Sequence, residues 1–144
     1  MTTDKGRSIR KAVPADQPRI HAIRMSVREN ILRDPSKVTP EEVAWYREQA
    51  IFLVAESAGE IAAFTCANHQ TGLIWALFVD PAQEGRGHGR ALLDAALAGL
   101  KAAGHAQAWL ETGVGTRAER FYRRHGWQDR GRGLDGQIVF TRLL

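Results

Sequence analysis

The feature that most restricts how this sequence can fold is an apolar segment followed directly by a glycine-rich loop. Residues Leu73 to Val79 read LIWALFV, the longest uninterrupted apolar run in the chain, and predict a buried strand. Three glycines follow between residues 85 and 89. Residues 90–103 then repeat leucine at helical spacing. The pattern predicts a strand, a tight loop and a helix in immediate succession.

The rest of the chain alternates short strand patterns with helical ones. Asp16 is placed to cap a first helix, and Thr39 with Pro40 is typical of the start of a second. Strands are predicted at residues 8–13, 51–56, 61–68, 106–111, 127–129 and 137–143. Further helices are predicted at residues 17–28, 40–49 and 117–125. Runs of strands mixed with helices predict an α/β (α+β) fold with a mixed sheet.

Composition restricts the function class. A chain of 144 residues with 44% hydrophobic and 25% charged residues is typical of one globular domain, here residues 1–144. The single cysteine, Cys66, excludes an intrachain disulfide and a cysteine-based metal cluster. The first eleven residues lack the apolar core of a secretory signal, and no apolar run is long enough to span a bilayer. We therefore expect a cytoplasmic protein without a membrane partner.

The net charge of +4 suits an anionic ligand. It does not favour nucleic acid, because the basic runs are short and aromatic residues do not interleave with them. The glycine-rich loop offers a specific place for such an anion. Glycines let backbone N–H groups converge, and the start of the following helix adds partial positive charge. Arg86 and Arg90 could add charge-assisted contacts.

Two common phosphate-binding motifs are absent. A P-loop needs Lys followed by Ser or Thr, and that pair does not occur in the chain. The dinucleotide motif needs Gly-x-Gly-x-x-Gly early in a βαβ unit, which neither the glycine spacing nor the three preceding strands match. A plain glycine-rich turn without a ligand remains the alternative at this point.

Two segments together resemble a known family. Residues Leu77 to Pro81 (LFVDP) and Glu84 to Gly89 (EGRGHG) are similar to its L-x-V-x-P strand and [Q/R]-x-x-G-x-[G/A] loop. Residues Gly115 to Tyr122, followed by Gly126-Trp127, are similar to its later helix. The chain thus resembles the GNAT family of acetyl-CoA-dependent N-acetyltransferases. The resemblance implies a central mixed sheet of about six to seven strands flanked by about four helices, with strands splayed around the cofactor.

The resemblance also implies acetyl-CoA as cosubstrate, with no metal. Glu84 stands where the family has Gln or Arg, and we expect its carboxylate to face solvent or to pair with Arg86. Gly115 stands where that helix often begins with Asn. The cofactor-binding residues implied by the resemblance are Leu77, Phe78, Val79, Gly85, Arg86, Gly87, His88, Gly89, Arg90, Gly115 and Tyr122.

Two residues are implied to carry the chemistry. Tyr122 matches a family tyrosine near the sulfur of coenzyme A, so it is the candidate general acid; the alternative is that it only packs beside Phe121. Glu111 ends the strand before that helix and is the candidate base, directly or through water. The alternative for Glu111 is a solvated or salt-bridged carboxylate.

Several other residues keep two interpretations. We expect the exposed face of the last helix to be formed by four arginines, Arg117, Arg120, Arg123 and Arg124. The alternative is that they contact the 3′-phosphate of the cofactor. Trp75 is either a core residue or a wall of the acceptor site, and Trp45 and Tyr46 fall in the helix pair that covers that site in the family.

The resemblance therefore implies acetyl transfer to a primary amine of a small molecule, peptide or protein. The acceptor is not assigned, and a homodimer is a family-level expectation. A non-catalytic acyl-CoA-binding module is the first alternative, and a basic nucleic-acid-binding domain is the second.

Overall fold

The structure is a computed structural model that describes residues 3–4, 6–26 and 40–144. Four α-helices lie in these ranges: α1 (Gln17–Ser26), α2 (Pro40–Gln49), α3 (His88–Ala102) and α4 (Arg117–Arg124). The strands are β1 (Thr3–Asp4), β2 (Arg7–Lys11), β3 (Ile51–Ser57), β4 (Glu60–Asn68), β5 (Leu73–Val79), β6 (Gln107–Thr112), β7 (Gln128–Arg132) and β8 (Ile138–Leu143). None of these helices is long and apolar enough to cross a bilayer.

All eight strands form one sheet in the order β1-β2-β3-β4-β5-β6-β8-β7. Its strand pairs are antiparallel except β5 and β6, which run parallel. The predicted mixed sheet with about four helices is confirmed. The sequence did not predict β1, because two residues are too few to show a periodic pattern.

The core lies on both faces of this sheet. On one face the apolar stripe of α3, including Leu93 and Leu100, packs in one cluster with Leu110 of β6 and Phe140 of β8. On the other face Ile23 of α1 and Tyr46 of α2 pack in a second cluster with Phe52 and Phe64. Seven successive residues of β4 are buried, as expected for a central strand covered on both faces.

The parallel pair β5 and β6 separates after its first residues. Its ladder consists of one residue pair, Leu73 with Trp109, next to a hydrogen bond from the Trp109 N–H to the Gly72 carbonyl. On its other edge β5 stays paired with β4 up to Val79. The sheet therefore opens between the ends of β5 and β6.

A β-bulge shapes β5 on the way to this opening. Cys66 of β4 pairs with Ala76, whereas Ala67 pairs with Ile74, so Trp75 is an extra residue in β5. The Thr65 hydroxyl donates to the Ala76 carbonyl at 2.8 Å and supports the irregular stretch. A bulge bends its strand and redirects side chains, and bulges are frequent beside functional sites.

One predicted cap is wrong. Asp16 ends a 3₁₀ turn (Pro14–Asp16) ahead of α1, and its carboxylate accepts from the Val13 N–H at 2.8 Å. The same carboxylate takes a two-pronged ion pair from Arg10 at 2.8 and 2.9 Å. Bidentate pairing with a guanidinium is stronger than a neutral cap hydrogen bond, so the tertiary partner determines where this side chain points. The predicted cap at Thr39 lies outside the described residues.

The other helix ends agree with the sequence. Gly104 and Gly126 follow α3 and α4 with φ of 99° and 85°, the left-handed conformation expected of C-terminal caps. Helix α3 begins at His88, two residues before the predicted start. Gly87, at φ 83°, precedes it, so the last glycine of the loop pattern lies inside the first turn.

Candidate active site

The opening between β5 and β6 forms a cleft of about 760 Å³. Its walls are the end of β5, the loop before α3, the first turn of α3 and one side of α4. Nine of the eleven residues that the sequence implied for the cofactor line this cleft: Leu77, Phe78, Val79, Gly85, Gly87, His88, Gly89, Arg90 and Tyr122. The other two, Arg86 and Gly115, do not line it.

The strand wall of the cleft comes from the far half of β5. Since the β5–β6 ladder ends at its first pair, the edge of residues Leu77 to Val79 that faces β6 is open to the cleft. A Cβ on Gly89 would stand 3.5 Å from a methyl of Val79 and 3.9 Å from the ring of Phe121. The start of α3, the end of β5 and α4 therefore come together at this narrow point.

The loop wall is held by Asp80, directly after β5. Its carboxylate accepts from the Ala82 N–H at 3.0 Å and from Arg19 of α1 at 2.6 Å. These two contacts lower the pKa of Asp80, the backbone N–H first and the guanidinium second. Gly85 and Gly87 then take φ of 78° and 83°, where a side chain is strained. The loop thus needs glycine to bring its backbone N–H groups to the start of α3.

Arg7 contacts this loop from β2, the second strand from one edge of the sheet. Its Nη2 donates to the Arg86 carbonyl at 2.6 Å, and its Nε donates to His88 Nδ1 at 3.0 Å. Sequence reasoning missed this residue because nothing local links β2 to a loop nearly eighty residues away. Arg86 thus serves the loop through its carbonyl, and its side chain is not part of the cleft wall.

His88 is 3% exposed, and burial together with the charges of Arg7 and Arg86 lowers its pKa. Its ring is therefore neutral at pH 7. Because Nδ1 accepts from Arg7, the ring proton is on Nε2, a buried atom for which the described part of the chain supplies no hydrogen-bond partner.

Tyr122 lies in the α4 wall of the cleft and is 6% exposed. Its ring packs edge-on against Phe121 and Trp127, with centroids 5.3 and 5.5 Å away. Burial raises the pKa of Tyr122 well above its usual value near 10, so the phenol keeps its proton at any physiological pH. The side chain both packs and faces the cleft, so the two interpretations of Tyr122 are compatible.

Glu84 and Arg117 meet at the mouth of the cleft. Nη1 of Arg117, in the first turn of α4, donates to Oε2 of Glu84 at 2.5 Å. Glu84 is exposed, as expected, but its partner is Arg117 and not Arg86. The physical reason is the close approach of α4 to the loop, which brings a guanidinium from the opposite wall to the carboxylate.

One end of the cleft is basic. Arg117 and Arg124 are seven positions apart, hence on one side of α4, and both line the cleft, as do Arg90 and His125. Burial, then the charges of Arg90 and Arg124, lower the pKa of His125. Arg123 instead donates to Glu119 and Asp129, away from the cleft. All four arginines are exposed, as predicted, and of these only Arg117 and Arg124 also line the cleft, which their i, i+7 spacing could have indicated.

Glu111 and Gly115 lie outside the cleft lining. Leu110 is buried with Tyr122 in the cluster under α3 and α4, so the neighbouring Glu111 lies on the opposite face of β6. Its Oε1 is 3.1 Å from where a Cβ would stand on Gly133. The Gly115 N–H donates to Glu119 at 2.7 Å, which closes the first turn of α4 and leaves that N–H unavailable to a cofactor.

Trp75 packs face to face with Tyr46 of α2, with ring centroids 4.1 Å apart and planes 2° apart. Trp45 lies edge-on to Tyr46 at 5.1 Å. Trp75 remains partly buried, and it belongs to the cluster beneath α1 and α2. One face of the Trp75 ring is therefore covered by the core residue Tyr46. The stack joins α2 to the bulge of β5.

The family model for the acetyltransferase (GNAT) domain matches residues 48–129. This range contains β4, β5, the glycine-rich loop, α3, β6 and α4, which are the elements that build the cleft. No curated protein matches the chain significantly by sequence.

Solved structures share the fold over nearly the whole chain. A GCN5-related N-acetyltransferase from Rhodopseudomonas palustris superposes with a TM-score of 0.79 at 19% identity, covering 100% of this chain and 99% of that one. The PaiA N-acetyltransferase from Thermoplasma acidophilum, solved with coenzyme A, gives 0.82 at 16% identity, with 96% and 99% covered. The putative acetyltransferase YncA from Salmonella typhimurium, solved with acetyl-CoA, gives 0.78 at 17%, with 96% and 94% covered. At these identities the likeness concerns the fold, and together with the matching domain model it shows that the chain belongs to the GNAT acetyltransferase family.

Proposed function

We propose that this protein transfers the acetyl group of acetyl-CoA to a primary amine of a small molecule, peptide or protein. The observation that carries the proposal is the cleft between β5 and β6, which joins an open strand edge, a helix N-terminus and a buried tyrosine. Family membership and the coenzyme A and acetyl-CoA in the complexes of PaiA and YncA support the choice of cosubstrate.

The residues present fit that cosubstrate in chemistry and in order. The open edge at Leu77 to Val79 offers backbone groups to the amides of the pantetheine arm. The backbone N–H groups around Gly85, Gly87 and Gly89, at the start of α3, suit the pyrophosphate. Arg86 acts in this proposal through its backbone, since its carbonyl is bound to Arg7. Gly115 has the weakest support, because Glu119 occupies its N–H.

Tyr122 is proposed as the general acid. Attack by an amine on the thioester carbonyl expels a thiolate, and a protonated phenol can donate to it. Burial keeps the Tyr122 phenol protonated, and the side chain lies in the cleft wall. Backbone N–H groups at the end of β5 are the proposed donors to the oxyanion that forms during attack.

The base is proposed to be Glu111, acting through water. Its place on the far face of β6 separates it from Tyr122, which suits an amine that arrives from the side opposite the general acid. The stack of Trp75 on Tyr46 lies on the α1 and α2 side of the sheet and is proposed as part of the acceptor wall.

The test measures binding first and turnover second. Calorimetric titration with acetyl-CoA, coenzyme A and ATP should show micromolar binding of the first two and none of ATP. Thiol release from acetyl-CoA is then followed over a panel of amino acids, polyamines, aminoglycosides and peptides with free N-termini. The protein's own thiol, Cys66, is buried and gives little background.

Tyr122→Phe supplies the matched variant, because it removes the hydroxyl and keeps the ring against Phe121 and Trp127. We expect kcat to fall about 100-fold while the Kd for coenzyme A stays unchanged. Full turnover by this variant would overturn the acid role. Binding without turnover over the whole panel would favour a non-catalytic acyl-CoA-binding module, and no binding of either coenzyme A form would refute the proposed function.

A further inference from the structure

We infer that Arg7 is a positioning residue for the loop of residues 85–89, which is proposed to bind the pyrophosphate. From β2 it holds the Arg86 carbonyl on the side of the loop away from the cleft, and so directs the Gly87 N–H into the cleft. The inference rests on the proposed binding of coenzyme A and adds a residue from outside the segment that the family model matches. Arg7 acts here through the backbone and does not line the cleft itself.

The peptide bond between Arg86 and Gly87 links the contact with Arg7 to the cleft. In a planar trans peptide the carbonyl oxygen and the following N–H point in opposite directions. The Arg86 carbonyl accepts from Nη2 of Arg7 at 2.6 Å, below the loop. The N–H of Gly87 is therefore directed to the other side of that peptide, where Gly87 lines the cleft.

The backbone of Gly87 does not by itself fix the orientation of this peptide. At φ 83° glycine moves between left-handed and other conformations at low cost, so an external contact is needed to select one orientation of the peptide. A Cβ at Gly87 would also stand only 3.3 Å from Nη2 of Arg7. The guanidinium thus lies directly against the loop backbone and limits how this peptide can turn.

His88 fixes the guanidinium in turn. Nε of Arg7 donates to Nδ1 of His88 at 3.0 Å while Nη2 reaches Arg86, so two edges of one rigid planar group are engaged at once. Lysine has one ammonium group in place of this fork and cannot reproduce both contacts with the same geometry. His88 has to be neutral to accept, and its burial keeps it so.

Arg7→Ala and Lys11→Ala form the experimental pair. Lys11 is an exposed residue of the same strand, so both variants remove one positive charge from β2. The Kd for coenzyme A is measured by calorimetry between about 20 and 300 mM salt, with thermal unfolding as the check on folding. Arg90→Ala, at the cleft wall, shows how the loss of a direct charge contact changes the salt dependence.

We expect Arg7→Ala to weaken coenzyme A binding about tenfold, to raise the KM for acetyl-CoA similarly and to leave kcat within about twofold. The salt dependence of Kd should stay that of the wild type, and Lys11→Ala should bind normally. Arg7→Lys should recover part of the affinity. If Arg7→Ala does not fold, Arg7→Lys and His88→Gln are compared with Lys11→Ala instead. Each of the two is expected to bind coenzyme A about threefold more weakly than the wild type.

Equal Kd values for Arg7→Ala and Lys11→Ala would overturn the positioning role. So would a salt dependence that flattens in Arg7→Ala as it does in Arg90→Ala, because Arg7 would then contact the phosphate directly. Coenzyme A binding by the wild type supports the proposed function whichever way Arg7→Ala behaves, so the two proposals fail separately.

Discussion

The carboxylate of Glu84 and the guanidinium of Arg117 are joined by a hydrogen bond of 2.5 Å across the mouth of the cleft. Glu84 belongs to the loop before α3, and Arg117 belongs to the first turn of α4. The ion pair places the negative charge of Glu84 beside the loop proposed to bind the pyrophosphate. We therefore expect this contact to act against cofactor affinity.

Replacing Glu84 with Gln should strengthen binding of coenzyme A. The change removes the negative charge beside the proposed pyrophosphate loop and keeps the size of the side chain. Both side chains are partly exposed, so the expected gain is modest, about three- to tenfold in Kd by calorimetry. Glu60→Gln, an exposed change at the start of β4, is the control and should leave Kd unaltered. A weaker Kd for Glu84→Gln would mean that the ion pair supports the binding-competent loop.

The basic end of the cleft should recognise the 3′-phosphate of coenzyme A. Arg124→Ala is expected to weaken binding of coenzyme A about fivefold while hardly changing that of dephospho-coenzyme A, because only the first carries the phosphate monoester. Arg120 is exposed on the same helix and does not line the cleft, so Arg120→Ala is the matched control. Equal losses for both ligands in Arg124→Ala would assign that arginine to another part of the cofactor.

His88 should make folding stability depend on pH in the acid range. The pKa of His88 is lowered in the folded state, so between that value and the unfolded value of about 6.5 the unfolded chain binds more protons. The free energy of unfolding should therefore be independent of His88 titration above about pH 6.5, and it should fall as the pH drops below that value.

Urea unfolding at several pH values between 7.5 and 5 tests this. His88→Gln removes the titrating group, and its stability should fall less over the range than that of the wild type. His125→Gln should also reduce the slope in part, because burial lowers the pKa of His125 as well. Parallel curves for the wild type and His88→Gln would show that the folded protein accepts the proton on His88 without penalty.

Glu111→Gln should reveal whether the far face of β6 supplies the base. We expect kcat/KM for the amine to fall about 100-fold at neutral pH and to recover as the pH approaches the pKa of the amine, where no base is needed. Asp135, near Gly133 on the same side, gives the control variant Asp135→Asn, which should retain its activity. An unchanged pH profile in Glu111→Gln would contradict the proposed base and would mean that solvent deprotonates the amine.

Local sequence patterns predicted most of the secondary structure. Residues 73–79 form β5 with the predicted bounds, and α2 covers Pro40–Gln49 as predicted. Gly104 and Gly126 end their helices as expected. These features follow from short-range physics: side-chain periodicity, proline at a helix start and glycine at its end.

The sequence by itself determined the order of the strands and helices after β1, the glycines of the loop and the resemblance to the GNAT family. Only the tertiary structure decided which charged groups meet: Arg7 with His88 across 81 positions, Glu84 with Arg117 across 33, and Asp16 with Arg10 in place of a helix cap. Periodicity describes which side of an element a residue occupies, whereas an ion pair depends on how distant elements pack. The cleft is the same kind of property, since it exists only where β5 and β6 part.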